Sequence, residues 1–126
     1  DVYLRGLVPA EDRVAETLRR AALYQAAGAN GLFAAGVTAE YEIKALCHGT
    51  SLPLNVLGFP GLPSPEALQA LGVRRLSAGS GIAEFLYGAM AGIAKSFLQT
   101  GKFDSHDLKA LTYGEVNALL QPSGKA

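Results

Sequence analysis

Cysteine is almost missing from this chain. Cys47 stands alone, which rules out an internal disulfide and a cysteine-based zinc site. Such usage suits a reducing cytosol, and a cytoplasmic location is the expectation. An excess of charge of either sign is missing too, because eleven basic and eleven acidic residues cancel. With no electrostatic footprint for nucleic acid or an anionic membrane, neither is expected as a partner. No apolar run approaches the ~18 residues of a membrane span without a charge or a Gly-rich break, and the first residues lack a signal-peptide layout. Nor do His, Cys, Asp and Glu fall at metal-ligand spacing, and no nucleophile is paired with a base. With 49% hydrophobic and 17% charged residues, the 126-residue chain can bury the core of about one domain. Its first residues, "DVYL", have no Met before them and read as the tail of a strand. The expectation is a piece of a longer protein, a natural short protein being the alternative.

Glycines punctuate the rest. Residues 11–27 carry Val14, Leu18, Ala21, Ala22 and Leu23 at helical spacing, with Glu11 and Asp12 in the first turn and Gly28 as the stop. "NGLFAAG" reads as a strand, and Thr38 is the expected N-cap of a helix over 39–48 closed by Gly49. "LPLNVL" is the next strand, followed by a helix opened by Ser64 and Pro65 and closed by Gly72, then the strand "VRRLSA". This alternation, repeating at about 22 residues, predicts parallel βαβ units with buried apolar strands. Counting "DVYL", the four strands predict an α/β fold: either a small open sheet or half of an eight-stranded barrel. Ile82, Phe85, Leu86, Ala89, Met90, Ile93 and Phe97 form a stripe on a helix over 81–99, with Glu84 and Lys95 as its only charges. A helix so apolar needs cover on more than one side, from a partner subunit or another segment. After Gly101, "KFDSHDLK" reads as a polar linker, "TYGEVNALL" as a short amphipathic helix, and "QPSGKA" as a fraying tail. The expected division is 1–100 for the α/β part and 101–126 for the linker and last helix.

In parallel α/β folds ligands bind beyond the carboxyl ends of the strands, so chemistry is sought there. Asn55, inside "LPLNVL", offers an amide that either contacts a ligand carboxylate or carbonyl or holds the Gly- and Pro-rich loop after it. "GFPGLP" suits a stiff pocket wall. "SAGSGI" runs into a helix, so free N–H groups and the Ser80 hydroxyl suit an anion, though tight-turn chemistry explains it as well. His48 reads as a helix-end residue, Cys47 as a small apolar filler, and Arg74 and Arg75 as a structural pair. His106, Asp104 and Asp107 read as linker residues.

"AGANGLFAAGV", "LPLNVLGFPGLPS", "LGVRRLSAGSGI" and "TGKF…TYGEVNALL" together resemble, in order and over nearly the whole chain, the carboxyl half of the isocitrate lyase/phosphoenolpyruvate mutase superfamily. The likeness is strongest to its branch of phosphonomutases and methylisocitrate-lyase-like proteins. The resemblance implies the carboxyl half of a TIM (α/β)8 barrel whose last helix is swapped between the subunits of a homotetramer, a dimer of dimers. It implies a lyase or a mutase, which is an isomerase, making or breaking C–C or P–C bonds in small oxo-, hydroxy- or phosphono-carboxylates. The implied route is an enolate-like intermediate held on Mg²⁺, whose ligands belong to the amino half. Of the site residues it implies, Asp1 resembles the end of the family's Arg-Thr-Asp motif, and Asn55 its substrate-contacting Asn. Gly36 and Ser80 fall at substrate-binding positions too. Where the lyases and mutases place a Glu or His this chain has Ala34, Ala35 and Gly36, and Ser80 stands where one decarboxylase branch has a His. A catalytically incomplete half-barrel, acting as a ligand-binding or oligomerisation scaffold, is the alternative that these departures leave open.

Overall fold

The apolar run at 52–57 becomes the middle of a sheet. Leu54–Leu57 (β2) lies between Leu32–Ala34 (β1) and Arg75–Ser77 (β3), all parallel, in the order β1-β2-β3. This computed structural model describes residues 1–103 and 109–121. Parallel neighbours need crossovers, and the helices Glu40–Gly49 (α2) and Pro65–Leu71 (α3) supply them. Phe33 stands opposite Asn55, and Asn55 opposite Arg75. Leu54, Asn55 and Val56 are all buried, as a central parallel strand should be. Phe33 in β1 and Arg75 and Leu76 in β3 are exposed, so the expectation of uniformly buried strands fails at both outer strands, each with one neighbour among the described residues.

Three further expectations need correction. Residues 1–7 form successive turns instead of a strand, closed by the Arg5 N–H donating to the Asp1 carbonyl at 2.9 Å and the Leu7 N–H to that of Val2 at 3.2 Å. The described strands therefore number three. On Arg13–Ala26 (α1), reached through a 3-10 turn at Ala10–Asp12, the inward face is Val14, Thr17, Leu18 and Ala21; Ala22 and Leu23 are exposed. Spacing of three and four selects the same face for a threonine as for a leucine, so Thr17 joins the inward face although it is not apolar. Finally, Ala39 and not Thr38 caps α2, and Gly49 lies inside that helix with no positive φ. Gly49 is small for another reason: a Cβ there would come within 2.5 Å of Leu18 Cδ1, where α1 crosses α2.

Other signals hold. Ser64 accepts a hydrogen bond from the Ala67 N–H at 3.3 Å with Pro65 at the first helical position, and Gly72 ends α3 at φ 101°. Ile43 and Leu46 from α2, Leu68 from α3 and Ala21 from α1 close over Leu54 and Val56 to make the core. Along the chain, β1 lies beside β2, β2 beside β3, α1 beside α2 and α2 beside α3.

The chain divides into two compact units, Asp1–Ile82 and Ala83–Ala126. Gly81–Thr100 (α4) runs through most of the second, and Gly101 stops it with its N–H on the Phe97 carbonyl at 2.8 Å. No residue of α4 is buried, and Phe85, Leu86 and Met90 are each more than half exposed. Phe97 stacks on Phe103 with ring centroids 4.6 Å apart. Tyr113–Leu119 (α5) starts with a capping box. The Glu115 N–H donates to the Thr112 hydroxyl at 3.2 Å, and the Glu115 carboxylate accepts from the Thr112 N–H at 2.7 Å. Asp104, His106 and Asp107 of the expected linker, and the tail from Pro122, lie outside the described residues.

Candidate functional site

Asn55 sits on β2 with 4% of its surface exposed. The hydroxyl of Ser77, at the end of β3, donates to its Oδ1 at 3.0 Å. Its Nδ2 is buried and has no hydrogen-bond partner among the described residues. A buried donor left unpaired costs about 1–3 kcal/mol, so the arrangement is one that a ligand or a further protein group would complete. The alternative role for Asn55, holding the following loop, finds no support: that loop holds itself. The Leu62 N–H donates to the Phe59 carbonyl at 3.1 Å around Pro60 and Gly61, whose φ of 86° is what a type II turn requires at that place.

Beyond the strand ends the backbone is drawn tight. The Gly58 N–H donates to the Ser77 carbonyl at 2.8 Å, and a Cβ on Gly79 would lie 2.7 Å from Leu57 Cδ1. Past β1, Gly36 takes φ 91° and lets the opening turns approach: a Cβ there would meet Leu4 Cδ2 at 2.9 Å and the Leu4 N–H nitrogen at 3.2 Å. Glycine is therefore required at Gly36 by backbone shape, whatever its part in binding. Asp1 is exposed at the start of the same turns, and Ser80 is exposed in the turn before α4. Ala34 and Ala35 are buried and carry no functional group.

The remaining candidates fall away from these ends. His48 is exposed in the last turn of α2, its Nδ1 2.7 Å from the Lys44 carbonyl oxygen, as expected of a helix-end residue. Cys47 packs half-buried against the core, and burial pushes its thiol pKa up. Arg74 and Arg75 are exposed beside Asn30, Pro53 and Asn55 on a cleft of about 390 Å³ at the amino ends of the strands. Among the described residues no group of three or more His, Cys, Asp and Glu could hold a metal ion.

Two features escaped the sequence reading. Ser77 is one; its pairing with Asn55 depends on register across two strands, and 22 residues separate them. The other is a buried Glu42 near Tyr3, whose hydroxyl pKa is raised by burial first and by the Glu42 charge second, with the Arg13 guanidinium 6.0 Å from the Tyr3 ring. Neither Tyr3 nor Glu42 carries any motif that spacing alone would flag.

Comparison with known proteins gives these positions a context. Residues 1–98 match the protein-family profile described as phosphoenolpyruvate phosphomutase. A crystal structure of a protein from Burkholderia cenocepacia J2315, provisionally described as a lyase/mutase, is similar with a TM-score of 0.78 and 31% identity. That similarity covers 95% of this chain and 42% of the other. A second protein from the same organism, provisionally described as a phosphonomutase, is similar with a TM-score of 0.67 and 33% identity, over 76% of this chain and 39% of the other. The chain thus spans less than half the length of either solved relative. No curated protein matches it significantly.

Proposed function

The chain belongs to the phosphoenolpyruvate phosphomutase family, within the isocitrate lyase/phosphoenolpyruvate mutase superfamily, and from that premise we propose that it is the substrate-contacting carboxyl part of a lyase or mutase. The proposed substrates are small oxo-, hydroxy- or phosphono-carboxylates, and the proposed reaction makes or breaks a C–C or P–C bond. The observation that carries this reading is Asn55: a buried amide on the middle strand of the three described, with its donor end unpaired among the described residues. Such a donor, held on a strand, stabilises negative charge on a ligand oxygen better than a loop side chain, because it does not have to reorganise.

Magnesium is part of the proposal, with its ligands in an amino half of the barrel. The described residues of this chain do not fit a magnesium site by themselves, since Mg²⁺ requires converging oxygen donors and no three of their His, Cys, Asp and Glu side chains come together. No step is drawn through it. What this chain supplies is orientation: the Asn55 amide, the Gly58–Ser77 clasp and the rigid Pro60–Gly61 turn beyond the strands. A homotetramer with α4 exchanged between subunits is proposed as the assembly, and the exposed apolar face of α4 supports it.

The test is Asn55→Ala in the full-length protein, assayed against a panel of small oxo-, hydroxy- and phosphono-carboxylates with Mg²⁺. The expected result is loss of most of kcat/KM, on the order of a hundredfold, with an unchanged melting temperature. An unchanged kcat/KM would remove Asn55 from the site. Ala34, Ala35 and Gly36, standing where a Glu or His is expected, favour a second reading: a ligand-binding scaffold without turnover. That reading requires wild-type protein to bind a member of the panel without converting it.

A further inference from the structure

We infer that Ser77 is a positioning residue: its hydroxyl fixes which end of the Asn55 amide meets the ligand, so that this subsite accepts an acceptor oxygen and rejects a donor. The inference rests on the carboxylate-substrate reading above and adds to it the polarity of the subsite.

A primary amide is nearly symmetric in shape and opposite in polarity at its two ends. A strand can fix where Asn55 sits, but rotation by half a turn about its last bond exchanges oxygen for nitrogen at almost no steric change. Something has to choose. In this structure the Ser77 Oγ lies 3.0 Å from Asn55 Oδ1 and donates to it, and Nδ2 is the end left over. The reverse orientation is worse by count. Nδ2 would then donate to the Ser77 oxygen, which would leave both Asn55 Oδ1 and the Ser77 proton in need of partners, where the observed orientation leaves one group.

The chooser is itself held. Ser77 ends β3 opposite Leu57, its carbonyl accepts from the Gly58 N–H at 2.8 Å, and Leu57 fills the space that a side chain on Gly79 would occupy. The Ser77 backbone is thereby clasped to β2 just past the hydroxyl that it presents. Asn55 is 4% exposed, so bulk water has little access to its amide. A serine on a neighbouring strand, rather than solvent or loop, sets the polarity.

Isothermal titration of the full-length protein with oxalate, in buffer containing Mg²⁺, tests this. Oxalate is a small dicarboxylate with acceptor oxygens alone. Wild type is expected to bind it, Ser77→Ala to bind about tenfold more weakly because the amide is free to turn, and Ser77→Thr, which keeps the hydroxyl, to stay within about twofold. Asn55→Asp, of the same shape but with acceptors at both ends, is expected to lose at least about a hundredfold. Melting temperatures close to wild type in all three variants separate these losses from misfolding. If wild type binds oxalate and Ser77→Ala binds it equally well, or if Asn55→Asp binds as wild type does, the role of Ser77 and the polarity are overturned while the carboxylate reading stands. If wild type does not bind oxalate, the carboxylate reading falls and this inference falls with it. A crystal structure finer than about 1.2 Å, in which amide hydrogens are visible, provides a ligand-free check. Finding Nδ2 against Ser77 would overturn the assignment directly.

Discussion

Two glycines, Gly49 and Gly72, follow helical stretches and look interchangeable in the sequence, but different forces hold them. Gly72 sits at φ 101°, where any Cβ is strained, and a Cβ there would also press Cys47 at 3.2 Å. Gly49 has ordinary helical backbone and exists to admit Leu18. Gly72→Ala should therefore cost about 1–2 kcal/mol through the backbone alone, and Gly49→Ala about 1–3 kcal/mol through overpacking. A double-mutant cycle in urea separates them: adding Leu18→Ala should recover much of the cost of Gly49→Ala and none of that of Gly72→Ala. Equal coupling at both sites would refute the distinction. The same contrast explains what was legible. Asn55 stands out because an amide in an apolar strand is anomalous by composition, whereas Ser77 is an ordinary serine until register brings it beside Asn55.

At the level of elements, α1 carries the clearest pH signature. Its Glu16 accepts hydrogen bonds from Arg19 Nε at 2.7 Å and Arg20 Nε at 2.6 Å, and these hold its pKa down at about 2 from an ordinary 4.5. A carboxyl whose pKa falls on folding contributes stability above its unfolded value, and that contribution disappears as pH drops through the folded value. Glu16→Gln should thus be less stable than wild type at neutral pH, by a small margin because the pair faces solvent. The gap should close between about pH 4.5 and pH 2. Denaturant melts across that range check it, and a gap independent of pH would refute it. Helix ends were legible wherever one residue dictates them, as with Ser64–Pro65 and Gly72. The α2 start was not, because Ala39 begins that helix without a side-chain cap. "DVYL" misled because a buried Val2 and apolar neighbours look alike in a strand and in stacked turns.

For the whole molecule, α4 poses the largest imbalance. Phe85, Leu86, Met90 and Ile93 line an apolar groove of about 520 Å³ with Phe103 and Ala110, surface that association would remove from water. If subunits cover it, as proposed, Phe85→Asp or Met90→Asp should convert the assembly to smaller species on size-exclusion chromatography or prevent folding. An intact tetramer in both variants would refute the exchange. The sheet that precedes it has a consequence of another kind. Because β1 pairs with β2 and β2 with β3, each strand with the next along the chain, pairing partners become available in the order in which the ribosome releases them. Unit Asp1–Ile82 can therefore grow vectorially, with β1 and α2 offering a template to β2 before β3 has been made. A translation pause after β2 should be tolerated better than one between β1 and β2, when β1 has not yet met its partner in this sheet.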